Sequence, residues 1–272
     1  MIRSELFQKI NYTANIDYLV SNYIREYDLS KANINILLRN GVINKADYDY
    51  YASLDRMTRQ RIIGIMIRDV EGVGEILKAG IIEAKKEFFD ANDISDHEVL
   101  SIKNDAVYLI NKVAKYTEFG NIEFKEKNLY TSYFKILKKE YYYYFNSITG
   151  EEKLDIKGIT DDRLVLHKDY FMEFLLVVFN TLETSSIDEA LEIIQTFYNR
   201  YINLELDLEY YREFNPESLY NLKPISRYKQ YKVLAISKDQ KDMLDISHNQ
   251  KLIMELYKIV SSIYFQKHNI KT

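Results

Sequence analysis

Between residues 99 and 159 the hydrophobic pattern of this chain falls towards a period of two, whereas the stretches before and after it repeat at helical spacing. Residues 99–102 and 106–110, rich in Val, Ile and Leu, predict two strands joined by a tight Lys103-Asn104-Asp105 turn. Asn and Asp suit such turns because their side chains bond to nearby backbone. Residues 122–124, 131–137 and 140–145 predict three more strands, 146–150 a hairpin turn, and 153–159 a last short strand. Upstream, helices are expected over 15–25, 31–39, 44–54, 56–68 and 76–90. The first rests on Ile16, Leu19, Val20, Tyr23 and Ile24 at helical spacing. Asp28 or Ser30 is positioned to cap the second, and Gly41 to end it. Gly72 and Gly74 break the chain before the last of these. Downstream, 168–182, 187–202 and 249–268 read as helices, with Ser186 and Glu189 forming a capping box, and short helices and loops surround Pro216 and Pro224. Helices, then a small antiparallel sheet, then helices make an α+β chain with helical N-terminal and C-terminal parts.

Composition narrows the chemistry. Hydrophobic residues at 47% and charged residues at 29% suit a soluble globular protein with a real core. The chain has no Cys, which excludes disulfides, thiolate nucleophiles and zinc–thiolate clusters. Its four His, at 97, 167, 248 and 268, have no metal-ligand spacing, and His167 reads as structural or exposed. A net charge of -4 argues against a wholly basic nucleic-acid coat but permits a local basic groove. The 25 Tyr, with abundant Ile, Asn and Lys, fit the codon bias of an AT-rich genome and read first as core filler. The N-terminus carries Arg3, Glu5 and Lys9 and has no signal-peptide core, and the apolar run 170–182 is too short to span a bilayer. These features point to a cytoplasmic protein, in a bacterium or a virus-infected cell, with no membrane partner.

Two acidic residues stand out by setting. Asp28 ends a short apolar run just before a helix, and Asp105 lies in the turn of the first predicted hairpin. Between them runs a basic helix with Arg56, Arg59, Arg61 and Arg68. On local grounds Asp28 also reads as a helix cap, Asp105 as a turn residue, and the arginines as a solvated face paired in part with Asp55 and Asp69.

The order of these motifs resembles the palm of family B DNA polymerases. In that family an Asp-x-x-Ser-Leu-Tyr-Pro-Ser motif lies at a strand-to-helix junction, and Asp28 falls on its aspartate. A later Tyr-Gly-Asp-Thr-Asp-Ser turn precedes an apolar strand, and Asp105 falls on its second aspartate, with Ala106-Val107-Tyr108-Leu109 beyond. Lys138-Lys139-Glu140-Tyr141 and Lys157-Gly158-Ile159 stand in the order of the family's Lys-Lys-x-Tyr and Lys-Gly-Ile elements. The resemblance covers about residues 20–220. It implies a palm-like core over 1–160, a fingers-like helical insertion at about 44–92, and a thumb-like helical region over 161–272. It implies a template-directed nucleotidyltransferase in which Asp28 and Asp105 are catalytic and hold two Mg2+ ions. Arg59, Arg61, Lys78 and Asn33 would contact the nucleoside triphosphate. Lys138, Lys139, Tyr141 and Lys157 would contact the DNA primer-template. A further replication subunit is an expected partner.

The chain departs from the family at several places. Lys103 replaces the first aspartate of the turn, Ile102 the glycine before it, and Asn33 the Tyr of the first motif. The family's Lys-x-x-x-Asn-Ser-x-Tyr-Gly fingers signature is missing. These departures keep two alternatives in play. One is an inactive polymerase-like subunit that binds nucleic acid. The other is a phage structural or assembly protein.

Overall fold

The structure is a computed structural model and describes residues 4–157, 170–203, 205–206 and 243–268. Two compact units emerge, Met1–Asn15 with Asn22–Tyr130, and Ile16–Ser21 with Thr131–Thr272. Residues Ile16–Ser21 of the second unit thus interrupt the first in sequence.

The first strands are β1 (Asn11–Thr13), β2 (Tyr18–Leu19) and β3 (Ile24–Leu29). Residues 15–25 are thus not helical. Their spacing fits a helix, but Ser21 takes a left-handed φ of 55° that breaks the run. The flanking residues then pair across strands, where β-branched and aromatic side chains pack well. The described helices of the first unit follow: α1 (Ala32–Arg39), α2 (Lys45–Ser53), α3 (Arg56–Asp69) and α4 (Val73–Ala91). Asn44 and Asp47 form a capping box on α2, and the Asp55 side chain accepts the Thr58 N–H at 3.0 Å to start α3. Neither Asp28 nor Ser30 caps α1. Lys31 takes that place in a left-handed conformation with no side-chain cap bond, because Asp28 is still within β3. Gly41, with φ 68°, closes α1 as expected. Gly72 caps α4, but Gly74 lies inside the helix.

Strands β4 (Val99–Lys103), β5 (Ala106–Ile110), β6 (Glu118–Phe119) and β7 (Ile122–Tyr130) complete the first unit. Its six-stranded antiparallel sheet has the order β1-β4-β5-β3-β7-β6. Tyr27, Val107, Leu109 and Phe124 on one face pack with Ile36 and Leu37 of α1 and Leu77, Phe88 and Phe89 of α4. The two helices approach so closely that a Cβ added at Gly80 would sit 2.2 Å from Ile36.

In the second unit β8 (Ser132–Ile136), β9 (Lys139–Phe145) and β10 (Glu152–Lys157) join β2 in an antiparallel sheet of order β10-β9-β8-β2. Leu137 and Lys138, with φ 47° and 65°, make the two-residue turn between β8 and β9. Helices α5 (Tyr170–Thr184), α6 (Ile187–Ile202) and α7 (Met243–Lys267) complete its described residues. Ser186 caps α6 by accepting the Glu189 N–H at 3.1 Å. Phe134, Tyr141 and Tyr143 of the sheet share a core with Phe179 of α5, Ile194 of α6 and Leu256 of α7. Gly158, Ile159, His167, Pro216 and Pro224 lie outside the described residues. Among the described residues no helix is long and apolar enough to cross a membrane.

Candidate active site

Asp28 stands near the end of β3, opposite Ala106 on β5 and Lys125 on β7. The next backbone N–H, that of Leu29, donates to the Asp105 carbonyl at 3.2 Å. The ladder between β3 and β5 therefore carries the β4–β5 turn, and Asp105 with it, to the side of Asp28. Both aspartates line one cleft of about 510 Å³ within the first unit. Asn33 and the residues opening α1 form one wall, Lys125 and Lys127 of β7 another, and Arg56, Arg59 and Gln60 of α3 a third.

The cleft is lined by three carboxylates and five cations. Burial and the neighbouring Asp28 carboxylate push the Asp105 pKa up, while its own backbone N–H, Lys127 and Arg56 pull it back. Asp28 has Lys127 Nζ at 3.5 Å from Oδ2. Arg59 is steadied by a 3.1 Å bond from Nη1 to the Leu54 carbonyl, across the start of its own helix. Lys85 of α4, within electrostatic reach of Asp105, is fully buried and donates to the Lys9 carbonyl. Burial brings its pKa down to about 8, against the pull of Asp105.

The remaining expected site residues fall in different places. Arg61 and Lys78 are exposed on α3 and α4 and do not line the cleft. Lys103 does not enter it either. Its Nζ donates to Thr13 Oγ1 at 3.1 Å on β1, so the lysine that replaces the family's first aspartate leaves the carboxylates clear. Lys138, Lys139, Tyr141 and Lys157 belong to the second unit. Lys138 is exposed at its hairpin tip, and Lys139 and Lys157 are half-buried. Tyr141, expected at the primer-template, is only 1% exposed and packs edge-on against Phe179 in the core.

Sequence reasoning missed three participants. Lys125 and Lys127 line the cleft because β7 pairs with β3, a register that no local pattern reveals. Glu26, two residues before Asp28 and so on the same face of β3, is buried at 2% exposure. It accepts from Tyr108 Oη at 2.8 Å, Tyr130 Oη at 3.1 Å and Asn128 Nδ2 at 2.5 Å. The Glu26-x-Asp28 alternation was the one visible signal.

Among the described residues no group of three or more His, Cys, Asp or Glu gathers as a metal site. Of the three carboxylates lining the cleft, Glu126 pairs with Arg25, and Asp28 and Asp105 are left in mutual repulsion, which suits a divalent ion that completes its shell with water and substrate oxygens. A search of curated protein sequences returns no match to this chain. Residues 1–262 match a family model described as bacteriophage PBS1 gene 130 protein. With nearly its whole length matched, the chain belongs to the bacteriophage PBS1 gene 130 protein family.

Proposed function

We propose that this protein is a template-directed nucleotidyltransferase with a polymerase-like palm, acting on a DNA primer-template and nucleoside triphosphates. The observation that carries the reading is the convergence of Asp28 and Asp105 in one cleft walled by Arg56 and Arg59. Asp28 and Asp105 would hold Mg2+. When bound, the metal lowers the pKa of the attacking primer hydroxyl and offsets charge at the reacting phosphate. The chain's own cations do the rest. Arg56 and Arg59 offer planar, permanently charged forks suited to bidentate phosphate contacts. Asn33 supplies a small polar wall where the α1 segment meets the cleft. Exposed Lys138 suits a non-specific contact with backbone phosphate.

Primer extension by the purified full chain in Mg2+ tests this reading. Asp28→Asn and Asp105→Asn are each expected to lower incorporation on the order of 100-fold or more, the scale for removing a group that stabilises transition-state charge. Full activity in both variants would sink the site assignment.

A second reading is favoured by one observation, the closeness of Lys127 to Asp28, which partly neutralises the pair. In it the palm binds nucleic acid without catalysis. Its signature is primer-template affinity that falls steeply with salt and needs no Mg2+, in a chain that extends no primer.

A further inference from the structure

We infer that Lys127, at a β-bulge beside the cleft, is the built-in counter-cation of the Asp28–Asp105 pair and is displaced when a divalent cation binds. The inference rests on the reading of the cleft as a metal and phosphate site. Its carrier is the register of β7 against β3. Tyr27 opposes Glu126 and Glu26 opposes Asn128, so Lys127 is skipped by the ladder. Two residues of β7, Lys127 and Asn128, thus oppose one of β3. Such bulges occur beside active sites, where they re-aim a side chain. Here the skipped residue is Lys127, whose ammonium reaches 3.5 Å from Asp28 Oδ2.

The bulge is pinned from below. Asn128, the residue after it, donates to Glu26 at 2.5 Å, and the same carboxylate accepts from Tyr108 of β5 and Tyr130 of β7. A buried carboxylate that accepts from three side chains is costly to rearrange, since those bonds would be lost away from water. The position of Lys127 is therefore set by strands β3, β5 and β7 together. Its neighbour Lys125, on the same cleft, instead pairs with Glu123 at 3.4 Å.

Charge explains what the arrangement does. Asp28 and Asp105 repel one another, and the Lys127 ammonium is one of the groups that relieves Asp105. The Lys127–Asp28 pair is half exposed, with side chains at 50% and 34% accessibility. Pairs of that kind are weak. A divalent ion, with twice the charge and direct coordination, displaces the ammonium and leaves it at the cleft wall.

The test is Mn2+ titration of the full chain by calorimetry, with no nucleotide present. Lys127→Gln is expected to bind Mn2+ roughly 2- to 5-fold more tightly than the wild type, the span that a weak exposed pair allows. Lys127→Arg should stay near wild type, and so should Lys125→Gln. Adding Asp28→Asn to Lys127→Gln should abolish the tighter binding. If the wild type binds no Mn2+ but Lys127→Gln does, the inference also stands. Equal affinity in wild type and Lys127→Gln, the same gain from Lys125→Gln, or no binding in either protein overturns it. Primer extension reports separately on the proposed activity. Tighter Mn2+ binding by Lys127→Gln in a chain that extends no primer would keep the counter-cation and remove the polymerase. Extension with unchanged Mn2+ affinity would do the reverse.

Discussion

Strand β3 of the first unit and strand β9 of the second are both interior strands of their sheets, and they are built from different chemistry. Strand β9 carries Tyr141, Tyr142, Tyr143 and Tyr144 in a row, and the first three are buried. Two of their polar ends are consumed locally: Tyr142 Oη donates to Glu140 at 2.9 Å, and Tyr143 Oη to Glu152 at 3.1 Å. Strand β3 alternates Glu26 and Asp28 on one face. Glu26 is fully engaged, but Asp28 faces another carboxylate across an open cleft. The second unit has the composition of a stable core. The first keeps a carboxylate pair, only partly offset by Lys127, at one end of its sheet, as sites that bind cations or phosphates do.

Four substitutions can break or sharpen that contrast. The largest effect belongs to Phe179→Ala in the second unit. Phe179 is buried and stacks on Phe134 with ring centroids 4.3 Å apart, so its loss should cost about 3–5 kcal/mol in denaturant unfolding. Mn2+ affinity of the folded variant should not move. A shift there would mean the second unit shapes the cleft.

Next is Lys85→Met. The folded pKa of Lys85, about 8, lies below its ordinary 10.5, so the folded protein loses this proton first. Wild-type stability should therefore rise between about pH 8 and pH 10.5, as the cost of the buried charge is relieved. Lys85→Met should flatten that slope and raise stability at pH 7 by about 2 kcal/mol, since an apolar group replaces a buried ammonium. A variant with the wild-type pH slope would show that Lys85 is not the group titrating.

Asp105→Asn comes third, and its direction separates a strained site from a structural turn. Burial and Asp28 raise the Asp105 pKa, so its contribution to stability is present at low pH and lost as pH rises through the folded value. At neutral pH the Asn variant should melt roughly 2–4 °C higher than wild type. A lower melting temperature would make Asp105 a structural turn residue.

The smallest effect is expected from Lys138→Gly. Lys138 holds φ 65° in a two-residue turn that favours glycine. Relief of that strain should add about 0.5–1 kcal/mol in thermal unfolding. Loss of primer-template affinity in the same variant would assign its ammonium to phosphate.

Legibility in the sequence followed how local each determinant is. Helices α2, α3 and α6 carry their own caps at Asn44, Asp55 and Ser186, and the β4–β5 hairpin carries its own turn, so all four could be read from neighbouring residues. Residues 15–25 could not, because whether Ile24 belongs to a helix or a strand is settled by Ile110 and Tyr130, far along the chain. The same holds for the cleft. Asp28 and Asp105 were visible through ordered motifs, whereas Lys127 reaches the cleft only through the pairing of β7 with β3, far along the chain. Tyr141 misled because a Lys-Lys-x-Tyr string does not reveal that both faces of β9 are buried.

One feature of the chain path sets conditions on how the protein is made. Strand β2 pairs Tyr18 with Phe134 and belongs to the second unit, although residues on both sides of it belong to the first. A ribosome releases β2 long before its partner β8 exists, so this edge strand must wait through synthesis of more than a hundred residues. A gene fragment starting at residue 131 would encode a sheet with one strand missing and the edge of β8 bare. Supplying residues 16–21 as a separate peptide, or grafting them by circular permutation, is the route to an independent second unit.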